Sequence, residues 1–98
     1  MLYLVYGEDV PGSEALRAPV RPAHIERRAA LHAQGRIKAS GPLWETDEPG
    51  PYCGTMLVAE FGSMQEARAW AEADPYVEAG VYARMVVRRV NTHFLAGE

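Results

Sequence analysis

The sequence predicts an α+β fold in which two helices cover one face of a four-stranded antiparallel sheet. Three observations lead to it. Residues 2–6, 55–61 and 81–90 are rich in apolar, β-branched and aromatic side chains, the composition of strands. Two stretches carry helix starts: Pro19 or Pro22 ahead of an alanine-rich run, and Ser63 followed three residues later by Glu66. With a weaker strand at 36–43, the order is strand, helix, strand, given twice, which is the ferredoxin-like βαββαβ arrangement.

The first strand begins almost at the N-terminus and is expected to stop at Gly7, with a polar loop running on to about Ala18. The first helix tolerates prolines in its opening turn, continues through Ala29, Ala30 and Ala33, and ends where Gly35 can take a left-handed conformation. Ile25, Ala29 and His32 share one stripe of it. Residues 36–43 alternate weakly and end at Gly41-Pro42, and 44–54 carry Pro49-Gly50-Pro51 as a loop or hairpin connection. The third strand sets Leu57, Ala59 and Phe61 against Met56 and Val58. The second helix, from Met64 to about Ala73, buries Ala67, Trp70 and Ala71. Asp74-Pro75 then reads as a further start, aspartate at the N-cap and proline at the first position, for a short turn ending near Gly80. In the last strand Tyr82, Arg84, Val86 and Arg88 alternate with Ala83, Met85 and Val87.

At 98 residues, 48% hydrophobic and 23% charged, the chain holds one core and one domain, residues 1–98. Its longest apolar run, 2–6, falls far short of the roughly 20 residues that cross a bilayer, and no basic region precedes it. Neither a membrane span nor a signal peptide is expected, and a soluble, cytoplasmic protein is. Cys53 is the sole cysteine, so no internal disulfide forms; no cluster has metal-ligand spacing, and no glycine-rich loop suits a nucleotide, so no metal and no cofactor are expected. Ten basic against thirteen acidic residues, a net charge of -3, disfavour nucleic acid. The charge is segregated: Arg17, Arg21, Arg27, Arg28, Arg36 and Lys38 fall in one stretch. They are either solvated helix faces or the surroundings of a small anionic ligand.

Two helices cover only one face of such a sheet, and a wet second face should alternate apolar with polar residues. The first strand is apolar at every position and the third is apolar on both sides. The uncovered face is therefore expected to pack against the same face of a second copy, giving a homodimer with a barrel-like interface.

Among residues that carry chemistry, His32 sits near a helix C-terminus and His93 in a polar tail, both ordinary positions. His24 stands in the first turn of its helix, where dipole and free amides keep the ring neutral and usable as a general base, or where it serves capping or packing. Asp74 suffices as a cap. If the topology brings it to His24, its carboxylate fixes the imidazole tautomer and raises its basicity. Tyr76 and Tyr6 are candidates to line such a pocket, and Cys53 has no neighbouring histidine to activate it.

Arg21-Pro22-Ala23-His24, Leu31 with Gly35, Ala39-Ser40-Gly41-Pro42-Leu43, Ser63-Met64-Gln65-Glu66-Ala67, Ala73-Asp74-Pro75-Tyr76 and Ala79-Gly80-Val81-Tyr82, in that order over nearly the whole chain, resemble the YciI family (YCII-related domain). The resemblance implies a ferredoxin-like dimer of the dimeric α/β-barrel superfamily, with an active site whose histidine and aspartate match His24 and Asp74. It places Ser40 and Gly41 on the pocket wall. It also suggests lyase-like chemistry on small cyclic or aromatic compounds, such as dehydrochlorination of a chlorinated hydroxyquinol. The chain departs from the family pattern in its loops at 8–18 and 45–53, which would rim a pocket. The resulting expectation is a small cofactor-independent enzyme: His24 moves a proton, Asp74 orients it, Arg21 or Arg28 attracts an anionic substrate, and Tyr76 lines the site. The alternatives are a non-catalytic dimeric small-ligand-binding module, expected if Asp74 lies out of reach of His24, and a purely structural partner protein, expected if no pocket forms there.

Overall fold

A computed structural model describes residues 1–95. The chain runs β1 (Leu2–Asp9), α1 (Glu14–Arg17), α2 (Arg21–Ala33), β2 (Ile37–Leu43), β3 (Gly54–Glu60), α3 (Met64–Glu72), α4 (Pro75–Glu78) and β4 (Tyr82–Arg89). The strands form one antiparallel sheet in the order β2-β3-β1-β4. This is the expected ferredoxin-like α+β fold. The helices pack on one face, where Tyr3, Val5, Leu57, Ala59 and Val87 meet Leu31 of α2 and Ala67 and Ala71 of α3. Burying each larger side chain of this set contributes roughly 1.5–3 kcal/mol, so this shared core holds both helices to the sheet.

Local chemistry explains where the helices start. Ser63 caps α3 by accepting from the Glu66 N–H at 3.1 Å, and the Glu66 carboxylate reaches back to the Gly62 N–H. Asp74 caps α4 by accepting from the Tyr76 N–H at 2.9 Å, and Gly80 (φ 77) and Gly35 (φ 70) end α4 and α2 in left-handed conformations.

Several expectations are corrected. Gly7 does not stop β1: it lies inside the strand because the Tyr82 ring occupies the space where a Cβ would sit, 2.5–2.7 Å away. Gly41-Pro42 does not end β2 either. That strand is the sheet edge, where the missing proline N–H breaks no ladder. The polar loop after β1 contains α1. The stripe of Ile25, Ala29 and His32 is exposed, and α2 instead buries His24 and Leu31; Trp70 of α3 is only half-buried, with Arg27 and Arg28 over its ring. A β-bulge at Ala83 shifts the β4 register between Arg84 and Tyr82, bringing Tyr82 onto the helix-covered face with Met85 and Val87.

The other face of the sheet carries no helix among the described residues. Leu4, Tyr6, Met56, Val58 and Val86 lie there half-buried, beside an exposed Arg84–Glu8 ion pair at 3.1 Å. Among the described residues no helix is long and apolar enough to cross a membrane.

Candidate active site

The second helical segment does not run straight into β4. After α3 the chain turns at Ala73, and α4 starts over the first turn of α2. Asp74, at the N-cap of α4, thereby faces His24, fifty positions earlier. The His24 Nδ1 lies 2.9 Å from Asp74 Oδ1 and 2.8 Å from Oδ2, and both residues are buried. Oδ1 also accepts the Tyr76 N–H.

Burial lowers the proton affinity of His24; Asp74 opposes this, Arg28 and Arg17 reinforce it, and the imidazole ends below the usual histidine range. Burial alone would raise the Asp74 carboxyl. The His24 hydrogen bond and the Tyr76 N–H outweigh it, and the carboxyl lies below its ordinary value. Near neutral pH the pair is therefore a neutral imidazole against a carboxylate. Nδ1 faces the anion and carries the proton, which it donates to Asp74. Nε2 is left with its lone pair and makes no hydrogen bond among the described residues.

The imidazole stacks on the Tyr76 ring, centroids 3.8 Å apart and planes 7° from parallel. Both rings line a cavity of about 110 Å³ that also meets Arg17, Arg21, Arg28, Tyr52, Thr55 and the Ser40-Gly41-Pro42 stretch of β2. Its size suits a small molecule. Arg28 donates to Ser40 Oγ at 2.7 Å and to the Met56 carbonyl at 3.3 Å, while its Nε is buried without a partner among the described residues. Burial lowers the proton affinity of the Arg28 guanidinium, Tyr82 and Asp74 opposing it, and burial pushes the nearby Tyr82 phenol up to about 12. Arg21 is exposed, its guanidinium carbon 5.8 Å from the centroid of the Tyr52 ring. A wider depression lined by Met1, Arg36, Glu60, Phe61 and Trp70 lies at the other end of β3 and contains no histidine.

Of the residues singled out from sequence, His24, Asp74, Arg21, Arg28, Ser40, Gly41 and Tyr76 are brought to one place. Tyr6 is not, because strand alternation puts it on the open face while Val5 and Gly7 face the helices. His32 and His93 are exposed. Cys53 donates its thiol hydrogen to the Leu43 carbonyl at 3.5 Å. Sequence reasoning missed Tyr52 and Thr55 on the wall and did not single out Arg17 from the arginine-rich stretch. Arg17 is buried rather than solvated, and only the serine and aspartate upstream of it hinted at a partner.

Residues 1–91 match the model of the YCII-related domain. The chain belongs to that family. It is 44% identical over 92 residues to the protein YciI of Escherichia coli and to that of Shigella flexneri, covering 90% of this chain and 94% of each relative. A Haemophilus influenzae protein is 37% identical over the same span. Among solved structures, the 5-chloro-2-hydroxyhydroquinone dehydrochlorinase TftG of Burkholderia phenoliruptrix, in complex with 2,5-dihydroxybenzoquinone, superimposes with a TM-score of 0.82. It shares 31% identity over 92% of this chain and 93% of its own. Protein Atu4242 of Agrobacterium tumefaciens, at 17% identity and a TM-score of 0.55 over 98% of each chain, shares the fold alone.

Proposed function

We propose that this YCII-family chain is a small enzyme without a cofactor, of proton-transfer or lyase type, in which His24 is the general base and Asp74 its orienting group. The observation that carries the reading is the two-oxygen contact of Asp74 with His24 Nδ1, 2.8 and 2.9 Å, in a buried site whose free Nε2 belongs to a cavity-lining ring. Nε2 takes a proton from the substrate. The electron pair released expels a leaving group from the neighbouring position, and the protonated imidazole is stabilised by Asp74 until it returns the proton to solvent. A positioned base of this kind contributes about 100- to 10,000-fold in rate.

The substrate class is a small cyclic or aromatic anion. Arg28 and Arg21 supply the attraction, Arg28 with an Nε that has no partner among the described residues; Ser40, Gly41 and Tyr76 shape the wall. The dehydrochlorinase activity and ring-shaped ligand of the TftG relative support this choice. The 2.8 Å contact supports this reading over a binding module without chemistry, which a carboxylate out of reach of the imidazole would have favoured.

The test begins with a thermal-shift screen of small aromatic and lactone acids, followed by turnover assays on those that bind. Turnover that falls about 100-fold or more in His24→Gln, with binding retained, is expected. Equal turnover in both proteins would overturn the proposal. Arg28→Met should weaken binding of an anionic ligand about 10- to 100-fold, the range of a charge-assisted hydrogen bond, with little change for a neutral analogue.

We also propose that the open sheet face, with Leu4, Tyr6, Met56, Val58 and Val86 on it, pairs with that of a second copy, since no element among the described residues is left to cover it.

A further inference from the structure

We propose that Arg17 is a positioning residue for His24, acting through the ring of Tyr76, which touches both. The inference rests on the reading of His24 as the reacting base.

Arg17 ends α1, and it is only 6% exposed. Its Nε donates to Asp9 Oδ2 at 2.8 Å, and its Nη2 to Asp9 Oδ1 at 3.0 Å, Thr55 Oγ1 at 2.8 Å and the Gly54 carbonyl at 3.2 Å. One planar cation thus ties the end of β1 and the start of β3 to α1. Asp9 is held in turn by the Ser13 hydroxyl, which donates to Oδ2 at 2.7 Å. Ser13 is the N-cap of α1, yet its side chain makes no capping bond. The helix forgoes its capping bond, and the serine is committed to Asp9 instead.

A clamp serving the fold alone could face in any direction. This one faces the site. The Arg17 guanidinium carbon lies 4.9 Å from the Tyr76 ring centroid and 5.3 Å from that of Tyr52, and Tyr76 stacks on His24. A guanidinium is attracted to the face of an aromatic ring, and a fork fixed on Asp9 cannot rotate away. Tyr76 is therefore held in the plane against which the imidazole rests. The positive charge of Arg17 also disfavours protonation of His24, in the same direction as burial and Arg28.

The test is an NMR pH titration of His24 in protein labelled with ¹⁵N-histidine, comparing the parent with Asp9→Asn/Arg17→Gln and with Arg17→Lys. The double substitution removes both charges, so no buried carboxylate is left unpaired. Asp74, Arg28, Arg21, Tyr52, Tyr76 and Tyr82, the other titratable groups around the imidazole and its cavity, are unchanged. In the double variant His24 should titrate at higher pH than in the parent and its Nδ1–H signal should broaden. Arg17→Lys, which keeps the charge and loses the fork, should broaden the signal while the midpoint stays. Parent-like midpoint and line shape in both variants would overturn the proposal. Should the double variant not fold, the lysine variant decides alone, a sharp parent-like signal counting against Arg17. The readout is the imidazole and not turnover. A parent without turnover whose variants show the altered signal would sink the enzymatic reading and leave this role of Arg17 standing.

Discussion

Asp74 has two duties that a single substitution can separate. Its Oδ1 caps α4 through the Tyr76 N–H, and its charge faces His24. Asparagine caps a helix as well as aspartate does but carries no charge. Asp74→Asn should therefore lose less than about 1 kcal/mol of cap stability, while turnover falls about 100-fold or more as the imidazole loses its anionic partner. Asp74→Ala should lose both, which denaturant titration beside kinetics will distinguish. In the sequence, Asp74-Pro75 was legible as a cap and His24 as a neutral ring at a helix start. Their contact was not, since it depends on the turn at Ala73. Arg17 was the least legible: its neighbours in the chain suggest a solvated run, and its partners Asp9, Gly54 and Thr55 come from other segments.

At the scale of elements, strand and helix types followed from composition, caps and terminal glycines, while several limits were set by neighbours. Gly7 reads as a strand stop on propensity. It is retained inside β1 because the Tyr82 ring lies where a side chain would go. Gly7→Ala should destabilise the fold by about 1–3 kcal/mol, the range of overpacking, seen as a lower denaturation midpoint. In the background of Tyr82→Leu the same change should cost less. Pro42 is tolerated because β2 is an edge strand, and strand order cannot be read from β2 itself. The stripe of α2 that enters the fold contains His24, Leu31 and half-buried arginines, facing the carboxylate and the core, while Ile25 lies exposed at the cavity rim and Ala29 faces outward.

At the scale of the whole molecule, stability should depend on pH through the buried pair. His24 has a folded proton affinity below its unfolded one, so the unfolded chain takes up the proton first. Its contribution is complete above about pH 6.5 and is lost as the pH falls from there through the folded value. Asp74 is also shifted down, so its contribution is present above about pH 4 and is lost below, through its own folded value. Melting temperature should be level above pH 7 and fall in two stages. His24→Gln should abolish the upper stage, and an unchanged profile in that variant would contradict the assignment. Light scattering at micromolar concentration should give about twice the 10.8 kDa chain mass, and Val58→Glu on the open face should return it to one chain.

By itself the sequence determined the class and order of the elements, the family, the apolar character of both sheet faces, and a short list of residues able to do chemistry, because these rest on local periodicity, caps and motifs. Only the tertiary structure decided that fifty residues of chain close into a 2.8 Å contact between His24 and Asp74, that Arg17 is a buried clamp, and which residues line the cavity. Those properties depend on the turn before α4, the bulge in β4 and the packing of α1, where distant segments choose among conformations that local sequence permits equally.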